Sequence, residues 1–286
     1  MKTLRCFLLP ATIALTLSGC LQNETTVHVN PDGSGTIVEE TFLGEQMTAM
    51  LGSLGNLGGK QDKPSKDPLD DMFSQEKVKA KAAKLGEGVT LSKIEKLEKD
   101  GKKGARITYQ FADINKLLLP LNDATSALDQ GTGGPPTADE GSPAPEAKKK
   151  QGDPIRFQMA DGKLTITMPR PDSSKKDEAK NKPEDETSKD DANNDQSEMM
   201  KSMLADMKIA IRVVAESGIS STDATHVDGQ TVTLLEMNFS ELITNPDAMK
   251  TLEKLEGRSP EAAAAALKGI KGVKVEIKEK ITLKMK

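Results

Sequence analysis

The sequence predicts an α+β fold: an antiparallel β-sheet built from hairpins, with a few short helices packed on it and disordered insertions between the folded parts. Three observations predict this fold. Asp-Gly pairs flanked by alternating apolar and polar residues recur along the chain. Short segments carry the residues typical of helix starts and stops, and two long stretches have almost no apolar side chains.

Four Asp-Gly pairs mark the turns of four hairpins, because Asp-Gly suits the two-residue turn that joins antiparallel strands. The pairs begin at Asp32, Asp100, Asp161 and Asp228, and the hairpins that they predict span residues 25–42, 89–111, 155–168 and 220–237. Apolar and polar residues alternate beside these turns, which is typical of a sheet with one buried face. The side chains predicted to share such a face are Ile107, Tyr109 and Phe111; Ile155, Phe157 and Met159; and Leu164, Ile166 and Met168.

Helices are predicted where a capping residue precedes a helical pattern and a glycine follows it. Ser74 opens a helix that Gly86 ends, and Ser197 caps a methionine-rich helix. Two more helices are predicted at Asn245–Gly257 and Ser259–Gly269. The chain then finishes in one long amphipathic strand, whose apolar residues share one parity: Val273, Val275, Ile277, Ile281, Leu283 and Met285.

A weak internal repeat relates the two halves of the chain. Residues 104–118 and 229–243 align without gaps, and Asp113 matches Asn238. Each stretch is predicted to be a strand running into a capped short helix. Two interpretations stay open: related α+β halves that share one sheet or pack their sheets together, and a chance similarity of short strand-helix junctions.

Two stretches lack the apolar content needed to fold. Residues 122–153 are rich in Pro, Gly, Thr and Ala, and residues 171–197 form a mixed-charge tract whose only apolar side chains are alanines. Both are predicted to be disordered linkers. They separate an N-terminal half (20–121), a β-hairpin (154–170) and a C-terminal half (198–286) of the α+β domain.

The composition argues against an enzyme and against a nucleic-acid partner. The chain has two histidines, two cysteines, one tyrosine and no tryptophan, so it supplies few of the side chains that catalysis and transition metals use. Its 40 basic and 44 acidic residues leave a net charge of −4, without the basic face that nucleic acids require. We therefore expect no catalytic residues, no cofactor and no nucleic-acid ligand.

The N-terminus has the layout of a secretory signal with a cleavage point. Lys2 and Arg5 precede the apolar run 6–17, which is too short to span a bilayer, and Leu17, Ser18, Gly19 and Cys20 follow. These last four residues resemble the lipobox of bacterial lipoproteins. The resemblance implies that residues 1–19 are a signal peptide, and that Cys20 becomes the mature N-terminus and carries diacylglyceryl and a further acyl group such as palmitate.

The same resemblance implies an extracytoplasmic location, because the acyl chains would hold the mature protein on a membrane. The residue after the cysteine is Leu21 and not an aspartate. In bacteria with two membranes, that choice implies sorting to the outer membrane. An ordinary signal peptide, whose cysteine has no special role, is the alternative.

A second resemblance covers much of the ordered chain. The stretch "VHVNPDGSGTIVEETF" just after the cysteine, then "GVTLSKIEKLEKDGKKGARITYQFADINKLL" and "IRFQMADGKLTITM", resembles the LppM-type family of bacterial lipoproteins. The family implies a sheet-rich α+β extracytoplasmic domain and supplies no catalytic residues to transfer. The chain departs from the family pattern in lacking the C-terminal membrane helix of the prototype.

The stretch most like a ligand site is "NPDGSGTIVEET", in which Asn30, Asp32 and Ser34 occupy alternate positions before Gly35. This spacing is found in calcium-binding loops. The position that should supply a bidentate carboxylate is Thr41, however, and the flanking residues predict strands. A plain hairpin turn is therefore favoured over a calcium site.

Two other features carry a functional and a structural interpretation. His28 alternates with Val27 and Val29, which predicts a solvated or edge histidine and disfavours a ligand or a base. Methionines and leucines recur at helical spacing in residues 47–57 and 199–207, and such faces either fill the core or accept varied apolar partners. Core packing is favoured.

These observations predict a lipid-anchored envelope lipoprotein without enzymatic activity, acting as an interaction or structural module through envelope proteins. The alternative is a protein that binds an amphipathic or lipid ligand in a pocket between sheet and helices. An apolar cavity of roughly 300–1,000 Å³ would favour the alternative.

Overall fold

The computed structural model of this chain describes residues 21–45, 47–49, 68–121, 153–169, 207–245, 266 and 269–286. The linker 171–197, nearly all of the linker 122–153, and most of the helices expected after Ser197, Asn245 and Ser259 lie outside the described residues. The described residues confirm an α+β fold rich in strands with a few short helices.

Thirteen strands and three α-helices make up the described elements. The strands are β1 (Leu21–Val29), β2 (Gly35–Leu43), β3 (Thr90–Lys99), β4 (Lys102–Phe111), β5 (Leu118–Leu119), β6 (Ile155–Ala160), β7 (Lys163–Thr167), β8 (Lys208–Ala215), β9 (Ile219–Thr222), β10 (Val227–Asp228), β11 (Thr231–Asn238), β12 (Val273–Val275) and β13 (Lys280–Met285). The helices are α1 (Pro68–Met72), α2 (Gln75–Leu85) and α3 (Phe239–Ile243), with a 3-10 helix at Ile114–Lys116.

The strands form two sheets that share one core. The larger sheet has the order β10-β11-β8-β1-β2-β4-β3, with β12 also paired to β11, and the smaller has the order β5-β6-β7-β13-β9. Apolar side chains from one face of each sheet belong to the same buried cluster, for example Ile37 and Tyr109 from the first sheet and Ile155 and Leu283 from the second. Strands of both halves of the chain thus lie in one sheet.

Helix α2 begins and ends where the sequence predicts. Its buried residues Val78, Ala82 and Leu85 follow helical spacing and face the core. Ser74 has the extended backbone of an N-cap, but its side chain makes no capping hydrogen bond. Gly86 ends the helix with a φ of 139°, where a Cβ would overlap the carbonyl oxygen of Lys116.

Three of the four predicted hairpins are confirmed. They are β1–β2, β3–β4 and β6–β7. In the last two, both turn residues have a positive φ, 52° and 73° at Asp100 and Gly101, and 50° and 70° at Asp161 and Gly162. This is the geometry of the tight two-residue turn that matches strand twist. The faces predicted to be buried in these hairpins are buried or half-buried.

The fourth hairpin is wrong in its first half. Only Val227 and Asp228 pair with β11, whereas the preceding strand β9 pairs with β13 in the smaller sheet. The main partner of β11 is β8, a strand that the sequence analysis did not identify. Strand β8 also runs parallel to β1, so the larger sheet is mixed, with one parallel pair. The run "KIAIRVVA" is nearly continuously apolar, and such a run carries no alternation signal.

The long C-terminal strand is also wrong as a single element. It divides into β12, which belongs to the larger sheet, and β13, which belongs to the smaller one. At the division the burial pattern inverts: Glu276 is 4% exposed, whereas Ile277 is 46% exposed. The Glu276 carboxylate accepts hydrogen bonds from the backbone N–H and hydroxyl of Thr225, at 2.7 and 2.9 Å, and from the N–H of Lys278 at 3.1 Å. These bonds hold the chain as it crosses between the sheets.

We expect this inversion to show in stability. Glu276→Ala should lower the free energy of unfolding by about 2–3 kcal/mol, because three hydrogen-bond donors lose their buried carboxylate acceptor. Ile277→Ala, the matched neighbour, should change it by less than about 0.5 kcal/mol, since its side chain is largely exposed. Urea denaturation of the two variants checks this. The reverse order of effects would show that the single amphipathic strand is correct.

The two repeat segments have similar local structure. Strand β4 runs into the 3-10 helix at Asp113, whose side chain accepts from the N–H of Asn115 at 3.0 Å. Strand β11 runs into α3 at Asn238, whose side chain makes no capping bond to the helix backbone. The strand-helix junction is therefore common to both segments, but the side-chain cap is present only in the first.

Candidate functional site

The lipobox residues Leu17, Ser18, Gly19 and Cys20 lie outside the described residues. The residue after them, Leu21, is the first residue of β1. It is 6% exposed and pairs with Leu43 of β2. The chain is therefore part of the central sheet from the first residue that would follow the anchor.

A row of charged side chains crosses the outer face of the larger sheet, the face directed away from the core. Register pairs join seven residues in order across seven strands, all of them charged except Ala210: Lys274, Glu236, Ala210, Glu24, Glu40, Arg106 and Glu95. Paired residues of neighbouring strands project to the same face. We call this set, with Lys208 and Arg212 of β8, the charged row.

Arg212 is the centre of the charged row. Its Nη1 lies 2.8 Å from Oε2 of Glu24, and its Nη2 lies 2.7 Å from Oε2 of Glu236. Both carboxylates flank Ala210 in register, so the guanidinium that reaches both must lie over Ala210. This placement accounts for the 1% exposure of Ala210. Arginine suits the position because its planar fork can bind two carboxylates.

The ends of this cluster are lysines. Lys208 Nζ lies 2.6 Å from Oε1 of Glu24, and Lys274 Nζ lies 3.4 Å from Oε1 of Glu236. Further along the charged row, Arg106 Nε donates to Glu40 at 2.7 Å. Glu24 and Glu40 are paired in register and carry the same charge. Each of them binds a cation from an adjacent strand, which offsets the repulsion between the two carboxylates.

These contacts shift the pKa values of the three central groups. Burial alone would raise the pKa of Glu24, but the hydrogen bond from Lys208 and the charges of Arg212 and Lys208 outweigh it, so the pKa lies below its ordinary value of 4.5. Burial alone would also raise the pKa of Glu236. Hydrogen bonds and charges from Arg212 and Lys274 outweigh this effect, so the pKa of Glu236 lies below 4.5 as well. Burial would lower the pKa of Arg212, but its two carboxylates raise it. All three groups are charged at neutral pH.

A small polar cavity lies under the opposite face of the sheet. Its polar lining is Asn23, Thr25, Glu39 and Lys81, and its volume is about 10 Å³, room for about one water molecule. Glu39 of β2 is 6% exposed and lies 3.0 Å from the Lys81 ammonium of α2. This ion pair between a buried carboxylate and a half-buried lysine holds the helix against the sheet. The cavity is too small and too polar for an acyl chain.

The residues considered for calcium bind one another in a hairpin loop. Oδ1 of Asp32 accepts from the N–H and the hydroxyl of Ser34, at 2.9 and 2.7 Å. Nδ2 of Asn30 donates to the same hydroxyl at 3.0 Å. The Ser34 donors are the main cause of a lowered pKa at Asp32. Among the described residues, no group of three or more His, Cys, Asp or Glu side chains is placed to hold a metal ion.

We expect calcium to leave the stability of the protein unchanged. Ser34 already donates to the Asp32 oxygen, so the loop is organised without a cation. A bound ion would stabilise the fold by about 2.7 kcal/mol at a hundredfold excess over its dissociation constant. Thermal melting in millimolar calcium and in chelator should therefore coincide. A rise of several degrees with calcium that Asp32→Ala abolishes would establish a metal site.

Two further side chains singled out by the sequence have structural placements. His28 lies on the outer face of β1, an interior strand, and its Nδ1 lies 2.7 Å from Oε1 of Glu216. The two side chains are 35% and 41% exposed, so this is a surface pair. Met47 and Met207 pack on or in the core, as the favoured interpretation predicts, and the other methionines of these two segments lie outside the described residues.

The charged row was missed by the sequence analysis. Alternation in β1 does place Gln22, Glu24, Thr26 and His28 on a polar face. The cationic partner of Glu24, however, is Arg212 of β8, which is 188 residues away along the chain, and Glu216, the acidic partner of His28 just after β8, lies at the same separation. Only the register between β1 and β8 brings Arg212 to Glu24, and no local pattern reports that register.

Comparisons with known proteins add little to this description. No family model and no curated protein matches the chain. Among solved structures, it is similar to the NMR structure of the folded domain of LppM from Mycobacterium tuberculosis, with 11% identity and a TM-score of 0.29, over 78% of this chain and 85% of that one. A TM-score of this size does not establish a shared fold.

No helix in the described ranges is long and apolar enough to cross a membrane.

Proposed function

We propose that this chain is an extracytoplasmic lipoprotein of the LppM type, held on a membrane through acylated Cys20, and in the outer membrane if its source has two. It acts as an interaction or structural module of the cell envelope without enzymatic activity. The observation that carries the proposal is the Leu17–Cys20 lipobox, which follows a basic and an apolar segment in the order of a lipoprotein signal.

The start of the fold supports the position of the cleavage point. Leu21 is buried and paired at the end of β1, so cleavage before Cys20 would remove nothing from the described domain. A cut several residues later would remove the first pairs of the central strand. The proposed cleavage point therefore lies just before the described domain.

The chemistry of the described surface supports a structural role. The ionised groups of the charged row bind one another, which makes a stable polar face and leaves their hydrogen-bonding capacity largely used. The one-water cavity beside Glu39 has no room for a substrate. An amphipathic ligand, the alternative function, would need a site other than this cavity.

Replacing the anchor tests the proposal. Cys20→Ser should move the protein from the membrane fraction to the soluble fraction or leave an uncleaved precursor, because the thiol that carries the acyl chains is lost. Cell fractionation and mass spectrometry of the N-terminus measure this. Cys6→Ser is the matched control, since it removes the other thiol of the chain within the signal and should leave a mature membrane protein. A Cys20→Ser variant that is mature and membrane-bound would refute the anchor.

A further inference from the structure

One end of the larger sheet lies next to Cys20 in the sequence. Strand β1 starts at this end, where Leu21 pairs with Leu43, Leu43 with Lys103, and Gln22 with Lys208. The β3–β4 turn is at the same end, because Lys99 pairs with Lys102 just before it. We call this edge the anchor end.

Lysines are frequent at the anchor end. Lys99 and Lys103 are exposed, and Lys271, which precedes β12, has a side chain that is 85% exposed. Lys208 is one-third exposed beside Glu24. Acidic residues also occur there: Glu45, Glu98, Asp100 and Glu241. The attraction of this edge to anionic lipid is therefore local, and the acyl chains on Cys20 supply most of the attachment to the membrane.

The opposite end of the sheet carries the other turns. The loop 30–34, the turn 216–218 and the turn after Asp228 lie there, since Val29 pairs with Gly35 and with Ala215, and Val214 pairs with Thr231. The β6–β7 turn is on the same side, because Met159 lies within 4.0 Å of the Cβ position of Gly33. Nine residues of β1 separate the two ends, a distance of about 30 Å.

We propose that acylated Cys20 seats the anchor end directly on the lipid headgroups, so that the larger sheet stands on the membrane and its opposite turns face away from it. This inference rests on the proposed function. The occupant of the anchor end is then the headgroup layer itself, with the exposed ammonium groups of Lys99 and Lys103 against lipid phosphates. The turns about 30 Å away are the surface presented to other envelope components.

Two structural facts favour the upright orientation. No residue separates Cys20 from the paired strand, so the anchor has no linker through which the domain could rotate. Strand β1 is also the fourth of the seven strands in the sheet order, with about 14 Å of sheet on either side of it. An anchor at the end of this middle strand cannot reach a bilayer that lies along β10 or along β3, the outermost strands of the sheet.

Single cysteines can test this orientation, since Cys6 leaves with the signal and Cys20 is acylated. The exposed residues Lys103, Gln110 and Lys163 lie respectively at the anchor end, on the outer face far from the anchor, and beside the β6–β7 turn. Full-length lipidated Lys103→Cys, Gln110→Cys and Lys163→Cys, each carrying a fluorophore, are placed in phosphatidylethanolamine and phosphatidylglycerol vesicles that contain a headgroup spin-labelled lipid. Quenching should be several-fold stronger at position 103 than at 110 and 163.

The outcomes separate this inference from the proposed function. Quenching at position 110 equal to that at 103 would show that the sheet lies on its outer face, and equal quenching at all three positions would show free rotation; either overturns the upright orientation while the anchor stands. Failure of the lipid-bearing protein to bind vesicles overturns both proposals. As a matched control, ten Gly and Ser residues inserted between Cys20 and Leu21 should reduce the quenching at 103. Unchanged quenching with the spacer would show that the anchor does not set the orientation.

Discussion

Replacing Arg212 with methionine should lower the free energy of unfolding by about 2–3 kcal/mol at neutral pH. Removing one partner of a fully buried ion pair costs about 3–5 kcal/mol, because the remaining charge stays desolvated without compensation. Glu24, Glu236 and Arg212 have side chains that are 31%, 19% and 21% exposed, so water screens part of this cost. Methionine keeps the apolar stem over Ala210, so the loss reports the charge.

The same substitution should change the pH dependence of stability. The pKa values of Glu24 and Glu236 lie below 4.5 in the folded protein. The two carboxylates stabilise the fold at pH values above their pKa in the unfolded chain. This stabilisation is lost as the pH falls below 4.5 through their pKa values in the folded protein. Without Arg212, only Lys208 and Lys274 oppose the effect of burial, so both pKa values should rise relative to wild type, and acid should destabilise the variant less relative to its own stability at pH 7. Urea denaturation at pH 7 and at pH 3 measures the difference.

Arg106→Met is the matched control for this prediction. Arg106 belongs to the same charged row, but its side chain is 42% exposed and forms its ion pair with Glu40 at the surface. Surface pairs of this kind contribute about 0–1 kcal/mol. Arg212→Lys should fall between wild type and Arg212→Met, since one ammonium cannot bind both carboxylates as a fork. Equal losses for Arg212→Met and Arg106→Met would mean that the bridge between Glu24 and Glu236 does not stabilise the sheet.

A single methyl group at Gly104 should destabilise the protein by about 3 kcal/mol or more, the upper range of overpacking effects. Gly104 of β4 pairs with Phe42 of β2. A Cβ there would overlap the carbonyl oxygen of Thr41 and would lie 2.9 Å from the Cα of Phe42. Both atoms belong to the backbone of β2, so a rotamer change cannot relieve the overlap, and the strands must separate.

Gly101, in the turn of the same hairpin, supplies the control for Gly104→Ala. It has a φ of +73° and no atom within 4 Å of its Cβ position. Asparagine tolerates this backbone region, so Gly101→Asn should cost less than about 1 kcal/mol. Thermal melting and urea denaturation of both variants measure the contrast. A Gly104→Ala variant as stable as Gly101→Asn would show that β2 and β4 do not approach each other closely at this point.

The sequence by itself determined the features that depend on neighbouring residues. Turn chemistry at Asp100 and Asp161, together with alternation beside them, was sufficient to identify two hairpins and their buried faces. The helix between Ser74 and Gly86 was predicted for the same reason, since its start, its stop and its apolar stripe are local signals. The lipobox also lies within four consecutive residues, so a local pattern is enough to propose the anchor.

Only the tertiary structure decided which strands are neighbours across large separations. Strand β8 has no local partner, and its parallel pairing with β1 brings Arg212 between Glu24 and Glu236. The C-terminal residues have one parity throughout, but parity does not state which sheet a strand joins, and buried Glu276 marks the crossing between the two. The physical reason is common to both cases. A strand's alternation reports which of its faces is buried, whereas its partner and register depend on the packing of segments far apart in the chain.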